Sequence, residues 1–364
     1  MTEFSQNVRD RFPVCAAYAY FNAGTFGPLS RQTLDAMAAL RAQEGEHGRA
    51  GAQYFDEMFA RRDRVRALLA QQVGASPDHL ALTDSTTQGI HIAVIGLGLR
   101  EGDEVVTTDA EHFGLIGPLA ASGVSLRVAS VNGIPADAVF DAVRAAVTSR
   151  TRLIALSAVS WIDGTIFPWR ELREATGLPV LVDGAQAAGA MAVDATAADW
   201  YTISCQKWLC GPDATGALYI REPEALPPRL VGYLGAASYD LKAGTWEPRA
   251  GAARFDTGFT PASSLAGLEA ALTELPEGRF ARSRDLAEQL REELVDAGHD
   301  VVTQPNQATL MSWRGRGDTA ATVRELYDAG VMLRELPGTG LLRASVGWWN
   351  DESDLERLVT ASRG

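Results

Sequence analysis

An α/β protein with a mostly parallel sheet flanked by helices, joined to a smaller α+β C-terminal unit, is the fold class this sequence predicts. Three observations carry the prediction. From about residue 79 to 220, short β-rich runs alternate with helical patterns, as in sheets whose strands are joined by crossover helices. After about residue 250 that alternation gives way to long helices and a few strands. Between them, 223–251 is rich in Pro and Gly and reads as a connection. We therefore expect a large domain over 14–250, with 1–13 and 251–364 forming the small one.

The strand candidates follow in order: "HLALT" (79–83), "EVVTT" (104–108), "LRVAS" (126–130), "RLIALS" (152–157), "PVLVD" (179–183), "WYTIS" (200–204) and "GALYI" (216–220). Each is short and rich in β-branched or aromatic residues. Stretches such as "ADAVFDAVRAAV" (136–147) supply the helices between them. In the C-terminal part, "SSLAGLEAALTEL", "RSRDLAEQLREELVDAG" and "DESDLERLV" read as helices, and "ATLMSWRG" and "LLRASVGW" as strands. Sites in such sheets gather beyond the carboxyl ends of the strands, where loops meet helix N-termini.

With 364 residues, 46% hydrophobic and 22% charged, the chain has the composition of an ordinary globular protein. A net charge of −13 argues against general affinity for nucleic acid or an anionic membrane surface. No apolar run reaches the roughly 20 residues that span a bilayer. The start, "MTEFSQNVRDRFPV", lacks the regions of a signal peptide, so a cytoplasmic location is expected.

"SCQKWLCGP" (204–212) sets one lysine between two cysteines. A structural zinc site needs four Cys or His ligands at tight spacing, and no His or third Cys lies within about fifty residues of this pair. The three cysteines cannot all pair, and no metal site is expected. The lysine is the rarer feature. Lys207 and Lys242 are the only two in a chain with 33 Lys and Arg together. Unlike arginine, a partly desolvated lysine becomes a nucleophilic amine.

Three features sit at strand ends. "TDSTTQG" (83–89) places hydroxyl residues between a strand and a helix, where they either cap the helix or cradle a phosphate. Asp183 ends an apolar strand, as a helix cap does or as a carboxylate awaiting a cationic partner does. Lys207 follows one strand later, 24 residues on (207 − 183). A phosphate cradle, a strand-end Asp and a Lys together suit pyridoxal 5′-phosphate. The combination is far more specific than any of its parts.

The chain resembles the class V aminotransferase family of fold-type I pyridoxal-phosphate enzymes, which includes cysteine desulfurases, isopenicillin-N-epimerase-like proteins and cyst(e)ine C–S lyases. The resemblance runs from "YFNAGTFGPLS" (20–30) to "LLRASVGWWNDESDLERLV" (341–359), and is strongest in "LVDGAQAAG" and "SCQKWLCGPDATGALYI". It implies that Lys207 is the Schiff-base lysine, that Asp183 contacts the pyridine nitrogen, and that Gln186 lies near the ring hydroxyl. Thr86, Thr87 and Ser204 match phosphate ligands. His112 of "EHFG" matches the histidine that stacks on the ring, and Arg343 the arginine that clamps the substrate carboxylate. Asn22 falls in the matching N-terminal segment and is carried over as a substrate-side residue. By residue type alone His112 also fits a helix cap and Arg343 a surface cation.

Several positions depart from the family pattern. Gln206 stands where a phosphate-side histidine is usual, and Trp161 where desulfurases carry an asparagine near the ring hydroxyl. Trp161 either packs over the site or belongs to the core. Thr260 of "RFDTGFTP" corresponds, with a one-residue shift, to a threonine that reaches the phosphate of a partner subunit. The span before Arg343, "GVMLRELPGTGLLRAS" (330–345), is short and lacks the nucleophilic cysteine of desulfurases. The expected protein is thus a C–S β-lyase acting on a small sulfur amino acid, working as a homodimer. An aminotransferase or epimerase shares the initial Cα deprotonation, and a non-catalytic relative would lack the need for Lys207, Asp183 and Arg343 together.

Overall fold

The computed structural model describes residues 8–363. The part of the expected small-domain segment 1–13 that precedes Val8 lies outside the described residues. Strand β1 (Ala19–Tyr20) is followed by two helices, Arg31–His47 and Ala52–Gln72. Neither was expected. Arg, Gln, Glu and Ala dominate both, so they show helix propensity without a clear apolar stripe.

The central sheet holds β2 (Leu80–Thr83), β3 (Glu104–Thr108), β4 (Ser125–Ala129), β5 (Thr151–Ser157), β6 (Val180–Asp183), β7 (Trp200–Ser204) and β8 (Gly216–Ile220). Its order is β2-β8-β7-β6-β5-β3-β4. β8 pairs antiparallel with both β2 and β7, and all the other pairings are parallel. Each strand falls within a residue or two of its expected bounds. Alternation within the strands divides the core between two faces. Val106, Ile154 and Val182 pack with Val65 and Leu69 of one helix layer. Their neighbours Val105, Leu153 and Leu181 pack with Ile90 and Leu119 of the other.

The span 223–251 is more than a connection. It contains a hairpin, β9 (Ala236–Asp240) with β10 (Thr245–Pro248), whose residues are largely exposed. The C-terminal helices run Ala262–Thr273, Arg279–Asp296, Thr319–Asp328 and Glu352–Ala361. Strands β11 (Leu310–Arg314), β12 (Val331–Met332), β13 (Arg334–Leu336) and β14 (Leu341–Ser345) complete the fold. β14 lies between β11 and β13, and β1 pairs with β12. Ala19 and Phe21 consequently share a core with Leu290, Trp313, Leu342 and Leu355. Phe12 packs edge-on against Trp348 and Trp349, and Arg9 pairs with Asp351 and Asp354. The N-terminal segment therefore ties itself to the C-terminal unit across the whole length of the chain.

This topology positions the site. The parallel strands β3, β5, β6 and β7 all end at one edge of the sheet, at Thr108, Ser157, Asp183 and Ser204. β2, reached through the antiparallel β8, runs in the same direction and ends there at Thr83. Side chains far apart in sequence meet at that edge.

Candidate active site

Beyond this edge lies a cavity of about 240 Å³ that brings together Ser85, Thr86, Thr87, His112, Trp161, Asp183, Gln186, Ser204, Gln206, Lys207 and Arg343. Ten of the twelve site residues expected from sequence are among them. Asn22 and Thr260 do not line the cavity of their own chain. Asn22 instead bridges to Ser345 through its backbone, and its carbonyl accepts from the N–H groups of Thr25 and Phe26. Thr260 lies in the loop just before the helix Ala262–Thr273.

The cradle is the start of the helix Thr86–Leu97. Ser85 caps it, its hydroxyl accepting from the Gln88 N–H at 3.1 Å. The capping reading of this stretch therefore holds for Ser85. Ser85 closes the turn, while Thr86 and Thr87 offer first-turn N–H groups and hydroxyls to the cavity. From β7, the Ser204 hydroxyl donates to Gln206 Oε1 at 2.8 Å, which leaves the Gln206 amide NH₂ as a donor.

Asp183 Oδ1 accepts from the Ala185 N–H at 3.0 Å and the Thr202 hydroxyl at 3.3 Å, so Oδ2 is left for the cavity. Gln186 is fixed at both ends. Its Nε2 donates to the Gly24 carbonyl at 2.9 Å, and its Oε1 accepts from Trp208 Nε1 at 3.0 Å. The Lys207 side-chain amine makes no hydrogen bond or ion pair with the described residues. Burial lowers its amine to about 8, partly offset by Asp183 and reinforced by Arg343 and Arg334. Gly27 secures this loop: its N–H donates to the Gln206 carbonyl at 2.7 Å, and a Cβ there would stand 2.0 Å from the Lys207 carbonyl oxygen.

His112 caps the helix Phe113–Ala121 and also lines the cavity. Its Nδ1 accepts from the Gly114 N–H at 3.1 Å, which puts the proton of the neutral ring on Nε2. Burial holds it below the usual histidine range, with Lys207 acting in the same direction. Trp161 stands edge-on to it at 5.4 Å.

Arg343 is 1% exposed. Its Nη1 donates to the Trp161 carbonyl at 2.7 Å, while Nε and Nη2, the two donors along one edge of the fork, are buried without partners. An unpaired buried cation is costly, and a carboxylate received side-on would satisfy both donors. The fit depends on Gly24, where a Cβ would come within 2.6 Å of Nη2.

The sequence reading did not single out Gly24, Thr25, Ser157, Val159 or Ala185, which line the cavity together with Arg334. Arg334 Nη1 donates to Thr25 at 3.2 Å. It enters from β13, paired opposite Arg343 of β14. No local signal marks it, because its role follows from strand register.

A lone cavity lysine, a strand-end carboxylate and a helix-mouth cradle on a doubly flanked parallel sheet define the site of a fold-type I pyridoxal-phosphate enzyme. The model of the family Aminotransferase class-V matches residues 19–358, and the chain belongs to that family. A probable cysteine desulfurase of Xylella fastidiosa (strain 9a5c) is 28% identical over 82% of this chain and 79% of its own length. Isopenicillin N epimerase of Streptomyces clavuligerus is also 28% identical, over 98% of this chain and 97% of its own. A solved structure of the cystine C–S lyase C-DES with its reaction product cysteine persulfide aligns with a TM-score of 0.89 at 27% identity, over 97% of this chain and 99% of the other. Pyridoxal 5′-phosphate is the cofactor of this family, and the residues present fit it. Among the described residues no cluster of three or more His, Cys, Asp or Glu could hold a metal ion, and no helix is long and apolar enough to cross a membrane.

Proposed function

We propose that this protein is a pyridoxal-phosphate-dependent C–S β-lyase acting on cysteine- or cystine-type amino acids. The observation that carries the reading is the absence of a usable thiol among the described residues. Cys205 and Cys210 pack in the main core, 0% and 3% exposed, and burial pushes the first up to about 12 and the second well above the usual range. Cys15 is buried as well, its thiol also raised to about 12 by burial. Thiol nucleophiles act as thiolates in accessible, electropositive surroundings. With no such group, sulfur leaves by elimination rather than by transfer to the protein.

The roles follow from the placements. Thr86, Thr87, Ser204 and the Gln206 amide hold the phosphate, Asp183 Oδ2 the ring nitrogen, and the free Gln186 N–H the ring hydroxyl. When bound, the cofactor supplies an electron sink for charge developing at Cα. Lys207, with its lowered amine, takes the Cα proton. The Cβ–S bond then breaks with its electron pair going to sulfur, and the His112 Nε2–H serves as the proton donor to that leaving group. The net change is cysteine plus water to pyruvate, ammonia and sulfide.

Two cavity guanidiniums favour a substrate with two carboxylates. Arg343 takes the α-carboxylate, and Arg334 stands beside it for a distal one, as cystine would present. An aminotransferase or epimerase would share the deprotonation step and differ in product. The discriminating experiment incubates wild type and a protein with all three cysteines replaced by alanine with cysteine and with cystine, and measures pyruvate, ammonia, sulfide and alanine. Pyruvate and ammonia from both proteins are expected. Alanine from the wild type, with loss of turnover in the cysteine-free protein, would mean desulfuration and end the lyase reading.

A two-fold homodimer is part of the proposal, with Thr260 serving the partner's phosphate. In support, Phe259, Tyr233 and Leu241 are 55, 64 and 87% exposed, and Phe259 and Tyr233 stack on one another at 6.1 Å. A fully active monomer by light scattering at micromolar concentration would remove this role.

A further inference from the structure

Glu111 is a titratable group at the site to which the proposed reaction assigns no task. It follows β3, one residue before His112, and its carboxylate turns inward to the ends of the neighbouring strands. Oε1 accepts from the Thr108 hydroxyl at 2.7 Å. Oε2 accepts from both the Ser157 N–H, at 2.9 Å, and the Ser157 hydroxyl, at 2.5 Å. Ser157 is the last residue of β5, lies in register with Asp183 of β6, and lines the cavity. The hydroxyl's one proton is committed to Glu111, so the hydroxyl presents lone pairs alone to whatever occupies the cavity.

We propose that Glu111 is a second carboxylate for the cofactor ring, a positioning residue that fixes the Ser157 hydroxyl as an acceptor and adds a second negative charge behind Asp183. This rests on the cofactor reading above and not on the choice between lyase and its relatives. Three partner atoms from β3 and β5 surround it, and none carries a charge. Burial pushes the Glu111 carboxyl up to about 7, against the lowering effect of the Ser157 and Thr108 hydrogen bonds, and Asp183 adds a smaller push in the same direction as burial. Two carboxylates linked through one strand-end pair, Ser157 and Asp183, resist joint ionisation unless a cation lies near both. A protonated ring nitrogen is such a cation. Cofactor and Glu111 therefore favour each other's charged forms. Around the cavity the other charged or titratable groups are His112, Lys207, Arg334 and Arg343. Of these, the arginines oppose a cation on the cofactor, so a second carboxylate offsets them.

The test is a pH titration of the visible absorbance band of the cofactor-loaded protein, comparing wild type with Glu111→Gln. Glutamine keeps the shape: its oxygen still accepts from Ser157, and its NH₂ donates to Thr108, whose hydroxyl turns to accept. Losing the anion should shift the titration midpoint to lower pH, weakening the proton's hold about threefold or more. Cofactor release, followed by gel filtration in competing buffer, should also quicken. Ser157→Ala, which removes the hydroxyl and leaves the charge, should shift the midpoint less. Superposed titration curves for wild type and Glu111→Gln, with the cofactor still bound, would overturn the proposal and leave Glu111 a purely structural strand-end anchor. A shift to higher pH would overturn it too. A protein that takes up no cofactor at all even as wild type would instead strike at the cofactor reading.

Discussion

The two walls of the cavity are built on opposite plans. On the sheet-edge wall nearly every polar group already has an internal partner: Ser85 caps its helix, Ser204 holds Gln206, Asp183 takes two donors, and Gln186 is tied at both ends. On the wall from β13 and β14, Arg343 is buried with two donors unsatisfied. The first wall is preorganised for a resident group, so little reordering accompanies binding. On the proposed function, the second keeps a charge unpaired until a carboxylate arrives, which would tie affinity and specificity to the substrate itself.

The largest expected break lies where the walls meet. Lys207→Ala should abolish turnover, and borohydride reduction should then link no cofactor to the chain. Peptide mapping of the reduced wild type should find the label on Lys207, and a label on exposed Lys242 would contradict the assignment. Next comes the unsatisfied wall. Arg343→Ala should raise KM roughly tenfold to a hundredfold, since a charge-assisted pair is worth about 1.5–3 kcal/mol. Cofactor absorbance should be unchanged, because the preorganised wall is untouched. An unaltered KM would transfer the α-carboxylate to Arg334.

The smallest effect concerns pH. The free amine is the reactive form of Lys207, and its folded value is lowered from 10.5 to about 8. The reactive fraction therefore grows as pH rises through 8 and is nearly complete by about pH 9. Rates of cofactor uptake by the apoprotein, followed by stopped-flow absorbance, should level off there. Rates still climbing steeply at pH 10 would show an ordinary solvated lysine.

The two walls also differed in how far they could be read from sequence. Asp183, Ser204 and Lys207 follow β-rich runs at strand ends, and strand ends are visible because apolar residues stop there. Thr86 and Thr87 sit at a helix start, another local signal. The helix Arg31–His47 was missed, because of its residues only Thr33 is buried and no apolar face marks it. The β9–β10 hairpin was missed because its residues are polar, glycine-bearing and mostly exposed.

By itself the sequence determined the alternating elements, the single usable lysine and the chemistry it implies. All of these depend on residue type and short-range spacing. Tertiary structure alone decided that Arg334 stands opposite Arg343, that Glu111 reaches Ser157 across 46 positions, and that Gly24 opens the space for a guanidinium. It also decided that Asn22 pairs its backbone with Ser345 and is not among the residues lining the cavity. Strand register and close approach between distant segments set these contacts, and neither leaves a trace in local composition. The thiols make the same point: sequence places two cysteines around Lys207, and only packing shows all three buried in the core.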